Sequence, residues 1–230
     1  MFEFVFLDVD DTIFDFGYAE AEALCITLRH YGIEPTDCII RRYSEINDGY
    51  WKRLERGELT RREVQIGRFE SFLEEQGADC SAEEMNAFYM QTIANCFRYV
   101  EGAEKLLKDL RSLGCKLYVV SNGTRSVQHG RMRRAGLTDF FDDVFLSEDI
   151  GAEKPSKAFF DACFQSVPNV KLDSSIILGD SLTSDILGGI GAGMTTCWFN
   201  PKGKPGREDI VPDYEIKQLS EFVEIVSSKT

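Results

Sequence analysis

The chain has 230 residues, 26 basic and 39 acidic, for a net charge of −13, and 43% of it is hydrophobic. That length and composition exclude a disordered chain and a small disulfide-stapled domain, and the acidic balance excludes sequence-independent binding to nucleic acid or to an anionic membrane. Seven cysteines without a C-x-x-C pair and only two histidines, His30 and His129, exclude a disulfide framework and a histidine-built zinc centre.

The chain opens on an apolar run, Phe4–Val9, which reads as a buried strand. The run from Phe2 to Asp8 lacks the basic start and cleavage site of a signal peptide, and no apolar stretch approaches the ~20 residues that span a bilayer. A cytoplasmic protein with neither membrane nor nucleic-acid partners is expected. Residues 15–98 then show helical patterns and no convincing strand. Ala21, Leu24, Cys25 and Leu28 recur at helical spacing up to Gly32, and Thr60 with Glu63 and Ser81 with Glu84 have capping-box spacing. Beyond them, Leu106, Leu107 and Leu110 mark a helix that ends before Gly114, and Lys116–Ser121 reads as a second strand. The basic stretch containing Arg125, Arg131, Arg133 and Arg134 is expected to form a surface helix, with His129 facing solvent. Val144–Ser147, Ser175–Gly179 and Thr196–Phe199 are further strands. Pro155 opens a helix carrying Phe159, Phe160 and Cys163. Gly188 to Gly193 fits no register of a dinucleotide-binding G-x-G-x-x-G and reads as a closely packed helix end. A loop from Pro201 to Pro212 precedes a final helix near Leu219–Val226. Strand and helix alternate, so the expected fold is α/β: a doubly wound parallel sheet from residues 1–14 and 99–230, with an all-helical subdomain, 15–98, inserted after the first strand.

Chemistry concentrates at the strand ends. Asp8-Val9-Asp10-Asp11-Thr12 follows the first strand, Ser121-Asn122-Gly123 ends the second, Lys154 precedes the helix after the third, and Gly179-Asp180 ends the fourth with Asp185 just beyond. Singly, these read as an acidic turn, a turn serine and a surface lysine. In a parallel sheet they fall together on one edge, where hard carboxylate oxygens, a hydroxyl and an ammonium suit a divalent cation plus a phosphate.

In this order and after these strands, Asp8-x-Asp10-x-Thr12, Ser121, Lys154 and Gly179-Asp180 with Asp185 resemble the four motifs of the haloacid dehalogenase superfamily, and the helical insertion resembles its cap. The resemblance implies a phosphatase working through an aspartyl-phosphate. Asp8 would be the nucleophile and Asp10 the general acid and base, with Ser121, Asn122 and Lys154 holding the phosphoryl group. Mg²⁺ would be held by Asp8, the Asp10 backbone carbonyl and Asp180, with Asp185 ligating it through water or orienting the other ligands. Asp10 disfavours halide displacement, which needs no proton. A phosphoacceptor switch is disfavoured because the nucleophile follows strand one rather than strand three. The strings Trp51 to Thr60, Ser147 to Pro155 and Ser184 to Gly193 resemble bacterial pyrimidine 5′-nucleotidases, which implies a nucleoside monophosphate as partner. A sugar phosphate or phosphoglycolate is the alternative. Between Arg41 and Arg68 eight basic residues face five acidic ones. They read either as a solvated helix with i,i+4 pairs or as a basic island in which Arg68, near Tyr50 or Trp51, meets a nucleotide.

Overall fold

A computed structural model describes residues 1–228. Six strands, β1 (Phe4–Leu7), β2 (Lys116–Ser121), β3 (Asp143–Leu146), β4 (Ser175–Gly179), β5 (Thr195–Phe199) and β6 (Tyr214–Ile216), form one parallel sheet in the order β3-β2-β1-β4-β5-β6. Helices α1 (Phe16–His30), α2 (Asp37–Glu55), α3 (Arg61–Gln76) and α4 (Ala82–Ile93) lie between β1 and β2. The remainder, α5 (Ala103–Ser112), α6 (Arg125–Arg134), α7 (Ser147–Ile150), α8 (Lys157–Ser166), α9 (Leu187–Ala192) and α10 (Leu219–Ser228), alternate with strands or close the chain.

The central strands read as unbroken apolar runs because both faces are covered. Val5, Leu7, Val119 and Leu178 pack with Leu106, Leu107 and Leu110 of α5 and Phe222 of α10 on one face. The alternate residues Phe4, Phe6, Tyr118 and Val120 pack with Phe159, Phe160 and Cys163 of α8 on the other. Each such buried side chain stabilises the fold by about 1.5–3 kcal/mol. The expected close packing near Gly188 is present: a Cβ on Gly189 would lie 2.6 Å from Ile177 Cγ2.

Boundaries differ from expectation where polar groups take over. β1 stops at Leu7, two residues early, because the chain turns after Asp8. Ser147 starts α7 instead of ending β3, and α8 begins at Lys157 with Ser156, not Pro155, at its cap. β6 was not expected. It is a three-residue edge strand, led in by Asp213, whose Oδ2 accepts from Thr196 N and Oγ1 at 2.8 and 2.9 Å.

The four inserted helices have a core of their own, built around Leu24, Tyr43, Phe69, Phe72, Met85 and Tyr89. The Thr60 capping box is formed in both directions, and Ser81 Oγ accepts from Glu84 N at 3.3 Å. Val127 of α6 joins this cluster, so the insertion packs against the sheet unit beside the carboxyl edge. Strand order reverses across β1 and β4, which makes the ends of those two strands the topological switch point where such sheets bind ligands.

Candidate active site

Asp8 still belongs to the ladder, its N–H donating to Leu178 O at 3.0 Å. The chain then folds back: the N–H groups of Ile13 and Phe14 both donate to Val9 O at 2.9 Å, and Asp11 takes the left-handed region at φ 57°. Asp11 Oδ1 accepts from Phe16 N at 2.9 Å, ahead of α1. This turn leaves Asp8 at the floor of the edge, 7% exposed, and Asp10 above it with its side chain 29% exposed.

Lys154 enters from across the sheet and is buried. Its Nζ donates to Asp8 Oδ1 at 2.7 Å, Asp185 Oδ1 at 2.6 Å and Val120 O at 2.8 Å. Asn122 holds its backbone through both ends of the amide, Nδ2 donating to Lys154 O at 2.9 Å and Oδ1 accepting from Lys154 N at 2.8 Å. The Asn122 side chain, expected to bind substrate, is thus engaged in placing Lys154. Asp185 comes from a π-helical turn, Leu182–Ile186, and its Oδ2 accepts from Ser181 N at 3.1 Å. Gly179 is required for that approach, since a Cβ there would lie 2.2 Å from Asp185 Oδ2. Asp180 is placed by Trp198 Nε1, which donates to its backbone carbonyl at 2.9 Å, and its carboxylate meets Lys204 Nζ at 3.0 Å.

The electrostatics are those of a negative cluster short of cations. Burial, against the opposing pull of Lys154 and with reinforcement from Asp185 and Asp10, raises the Asp8 carboxyl well above the ordinary range. Burial and then Asp185 push Asp180 up to about 6. Burial alone would lower Lys154, but Asp185 and Asp8 outweigh it and hold the ammonium above its usual value. Asp8, Asp180 and Asp185 each offer an oxygen, all within 4.8 Å of one another. Three hard oxygens at this spacing, partly buried and incompletely neutralised, fit a small divalent cation such as Mg²⁺.

Ser121 is buried, and its Oγ accepts from Gly123 N and from Gln128 Nε2, both at 3.0 Å. With both of these bonds accepted, the hydroxyl keeps its own hydrogen to donate. Gln128 Nε2 also donates to Asp10 Oδ2 at 2.7 Å, and Arg131 forms an ion pair with Asp10 Oδ1. This corrects the expectation of a surface helix. Arg125, His129, Arg133 and Arg134 are exposed, but Gln128 and Arg131 are buried and turned to the site. Val127 and Met132 mark the buried side of α6, and residues 128 and 131 lie on that side at i,i+3. That was the signal available in the sequence.

A cavity of about 450 Å³ opens above the edge, lined by Asp8, Asp10, Ser121 and Lys154 below and by Glu20, Asn47, Trp51, Arg68 and Tyr89 of the insertion above. Arg68 lines it without being free. Nη1 donates to Asn47 Oδ1 at 2.8 Å and Nη2 to Asn86 Oδ1 at 3.0 Å, while the guanidinium lies over the Phe69 and Tyr89 rings. Asn47 in turn donates to Glu20 Oε1 at 2.6 Å. Arg61, at the start of α3, bridges insertion and sheet: its Nη2 donates to Ser147 Oγ at 2.6 Å, Glu153 Oε1 at 2.7 Å and Asn122 O at 3.1 Å. Thr183 Oγ1 donates to Glu55 Oε2 at 3.1 Å, a second polar contact between insertion and sheet unit. No helix among the described residues is long and apolar enough to cross a membrane.

Known proteins share this architecture. The chain is 40% identical over 220 residues to the "Putative HAD-hydrolase YfnB" of Bacillus subtilis, covering 96% of this chain and 93% of that protein. A crystal structure of YfnB bound to magnesium, described as revealing interdomain movement, superposes with a TM-score of 0.93 at 38% identity, covering 98% of this chain and 99% of the other. Pyrimidine 5′-nucleotidase PynA of Streptococcus pneumoniae is 29% identical over 223 residues, 97% of this chain and 94% of that protein. Pyrimidine 5′-nucleotidase YjjG of Escherichia coli is 30% identical over 224 residues, 97% of each. The family model described as haloacid dehalogenase-like hydrolase matches residues 2–193, the span that holds Asp8, Asp10, Lys154, Asp180 and Asp185 at the foot of the cavity, and the chain belongs to that family.

Proposed function

We propose that the protein is a Mg²⁺-dependent phosphatase of small phosphate monoesters, that it works through an aspartyl-phosphate on Asp8, and that its substrates are pyrimidine nucleoside 5′-monophosphates. The observation that carries the reading is the convergence of Asp8, Asp180, Asp185 and Lys154 at one sheet edge, with Asp10 beside them and a cavity of about 450 Å³ above. Such a space accommodates a nucleotide. The likeness to PynA and YjjG along nearly the whole chain supports the substrate class.

In this reading Asp8 attacks phosphorus while Asp10, as the acid, protonates the departing ribose 5′-oxygen. Asp10, now the base, then takes a proton from the water that opens the aspartyl-phosphate and restores Asp8. Splitting the hydrolysis makes each step an in-line displacement that asks chiefly for positioning and charge neutralisation. Ser121 donates its remaining hydrogen to a phosphoryl oxygen, and Lys154 neutralises another while holding Asp8 in place. Asn122 serves through the loop that carries both. Asp8, Asp180, Asp185 and the Asp10 backbone carbonyl would hold Mg²⁺, which when bound offsets the charge of the carboxylates and the phosphoryl group. The insertion, residues 15–98, acts as a cap, with Arg61 and Glu55 among its polar contacts to the sheet unit.

Hydrolysis of uridine 5′-monophosphate, sugar phosphates and phosphoglycolate, with Mg²⁺ and with a chelator, tests the reading. Metal-dependent phosphate release led by the nucleotide is expected, and Asp8→Asn should abolish it while leaving the fold intact. Normal turnover by Asp8→Asn would sink the mechanism. Preference for a sugar phosphate would overturn only the substrate class.

A further inference from the structure

The proton that Asp10 moves depends on where its carboxylate is held, and the groups holding it come from one side of α6. Gln128 Nε2 donates to Asp10 Oδ2 at 2.7 Å, and Arg131 Nη2 donates to Asp10 Oδ1. The two side chains are tied together, Arg131 Nη2 also donating to Gln128 Oε1 at 2.8 Å. They are tied to the end of β2 as well, through Gln128 Nε2 and Ser121 Oγ at 3.0 Å. Gly123 makes the room, because a Cβ there would lie 2.0 Å from Gln128 Nε2.

Arg131 is fully buried against the rings of Phe14 and Phe16, whose centroids lie 5.8 and 5.9 Å from its guanidinium carbon. Its Nε and Nη1 have no hydrogen-bond partner among the described residues. A guanidinium enclosed with most of its donors idle is a poor device for stability, since desolvation is repaid only by full pairing. What it does accomplish is to grip one oxygen of Asp10 from a rigid, ring-lined slot while Gln128 grips the other.

We propose that Arg131, with Gln128, is a positioning residue for Asp10, fixing its carboxylate beside Ser121 where it can hand a proton to the leaving oxygen. The inference rests on the phosphatase reading above. As the Asp8 oxygen bonds to phosphorus and the P–O bond to the leaving group breaks, the Asp10 proton passes to that oxygen. Arg131 and Gln128 exchange no proton.

Leaving groups separate this role from a structural one. A ribose 5′-alkoxide needs the proton, whereas p-nitrophenolate departs without it. The quantity to compare is kcat/KM for uridine 5′-monophosphate and for p-nitrophenyl phosphate, in wild type, Arg131→Met and Gln128→Leu. This constant covers transfer to Asp8 and omits the later hydrolysis that both esters share. We expect the nucleotide value to fall ~10–100-fold in Arg131→Met, less than the ~10²–10⁴-fold that a positioned acid contributes because Asp10 itself remains, and the aryl value to fall less than ~3-fold, with Gln128→Leu changing the ratio in the same direction. Partial unfolding lowers both values equally and leaves the ratio untouched, so the test survives a destabilised variant. Equal losses on the two esters in both variants would overturn the positioning role while leaving the phosphatase reading intact. A wild-type protein that hydrolyses neither ester would overturn both.

Discussion

Lys154 and Arg68 are both basic, 1% and 2% exposed, one under the sheet edge and the other inside the four-helix insertion, and they are neutralised in opposite ways. Lys154 touches two carboxylates and a carbonyl. Arg68 touches the amide oxygens of two asparagines and two aromatic faces, and reaches Glu20 only through Asn47. The lysine sits in a cluster with negative charge to spare, because the four carboxylates of Asp8, Asp10, Asp180 and Asp185 are met by only the three cations of Lys154, Arg131 and Lys204. Such a cluster is suited to take up a cation and then an anion. The arginine sits in a network whose hydrogen bonds are made before any ligand arrives, so it shapes a wall instead of reacting.

Lys154→Met is the strongest way to break this contrast. It leaves Asp8 and Asp185 buried without their shared cation, and removing one partner of a buried pair costs about 3–5 kcal/mol. Turnover should fall by ~10²–10³-fold, as when a transition-state donor is lost. Urea unfolding in the presence and absence of Mg²⁺ checks the cause: the destabilisation should shrink when the metal is present. Loss of stability without loss of turnover would make Lys154 as purely architectural as Arg68.

Asp180→Asn should act in the opposite sense on stability. The Asp180 carboxyl titrates near 6 in the fold against an ordinary 3.8, so the folded state binds the proton more tightly than the unfolded chain. The metal-free protein therefore loses stability as pH rises from about 4 to about 6, at up to ~1.4 kcal/mol per pH unit. Removing the charge should raise the metal-free Tm at pH 7 by roughly 2–4 °C for each kcal/mol recovered and leave Tm at pH 4 nearly unchanged. The same variant should lose the Tm increase that Mg²⁺ gives the wild type. A lower metal-free Tm at pH 7 would show the site to be balanced already, with no need of a cation.

The same contrast explains what could be read from the chain. Asp8, Ser121 and Asp180 are legible because each stands at the end of an apolar strand, with Lys154 and Asp185 in the connections after β3 and β4, and parallel pairing brings strand ends to one edge whatever the intervening sequence does. Their types also state their chemistry. Arg131 was not legible in that way: the basic stretch around it looks solvated, and its burial depends on Phe14 and Phe16, more than a hundred residues away. The position of Asn122 after β2 is legible too, but its amide is taken by the Lys154 backbone, a contact no local pattern announces. Arg68 stands out in the sequence only for its charge. Its partners Asn47 and Asn86 lie on α2 and α4, and only the packing of three helices turns it inward.

Arg68→Met is the mildest test for turnover and the one that most sharpens the comparison. The substitution keeps much of the apolar stem between Phe69 and Tyr89 but strips the donors from Asn47 and Asn86, each buried acceptor so exposed costing about 1–3 kcal/mol. Asn47 and Glu20 line the cavity, so their loosening should be felt as weaker binding of the part of the substrate remote from phosphorus. KM for uridine 5′-monophosphate should rise ~3–10-fold with kcat within about twofold, the pattern of lost uniform binding. p-Nitrophenyl phosphate, which has no nucleoside to seat, should be nearly indifferent. If kcat fell for both esters as it does in Lys154→Met, the two buried cations would be doing the same work, and the division between a reacting edge and a shaping wall would fail.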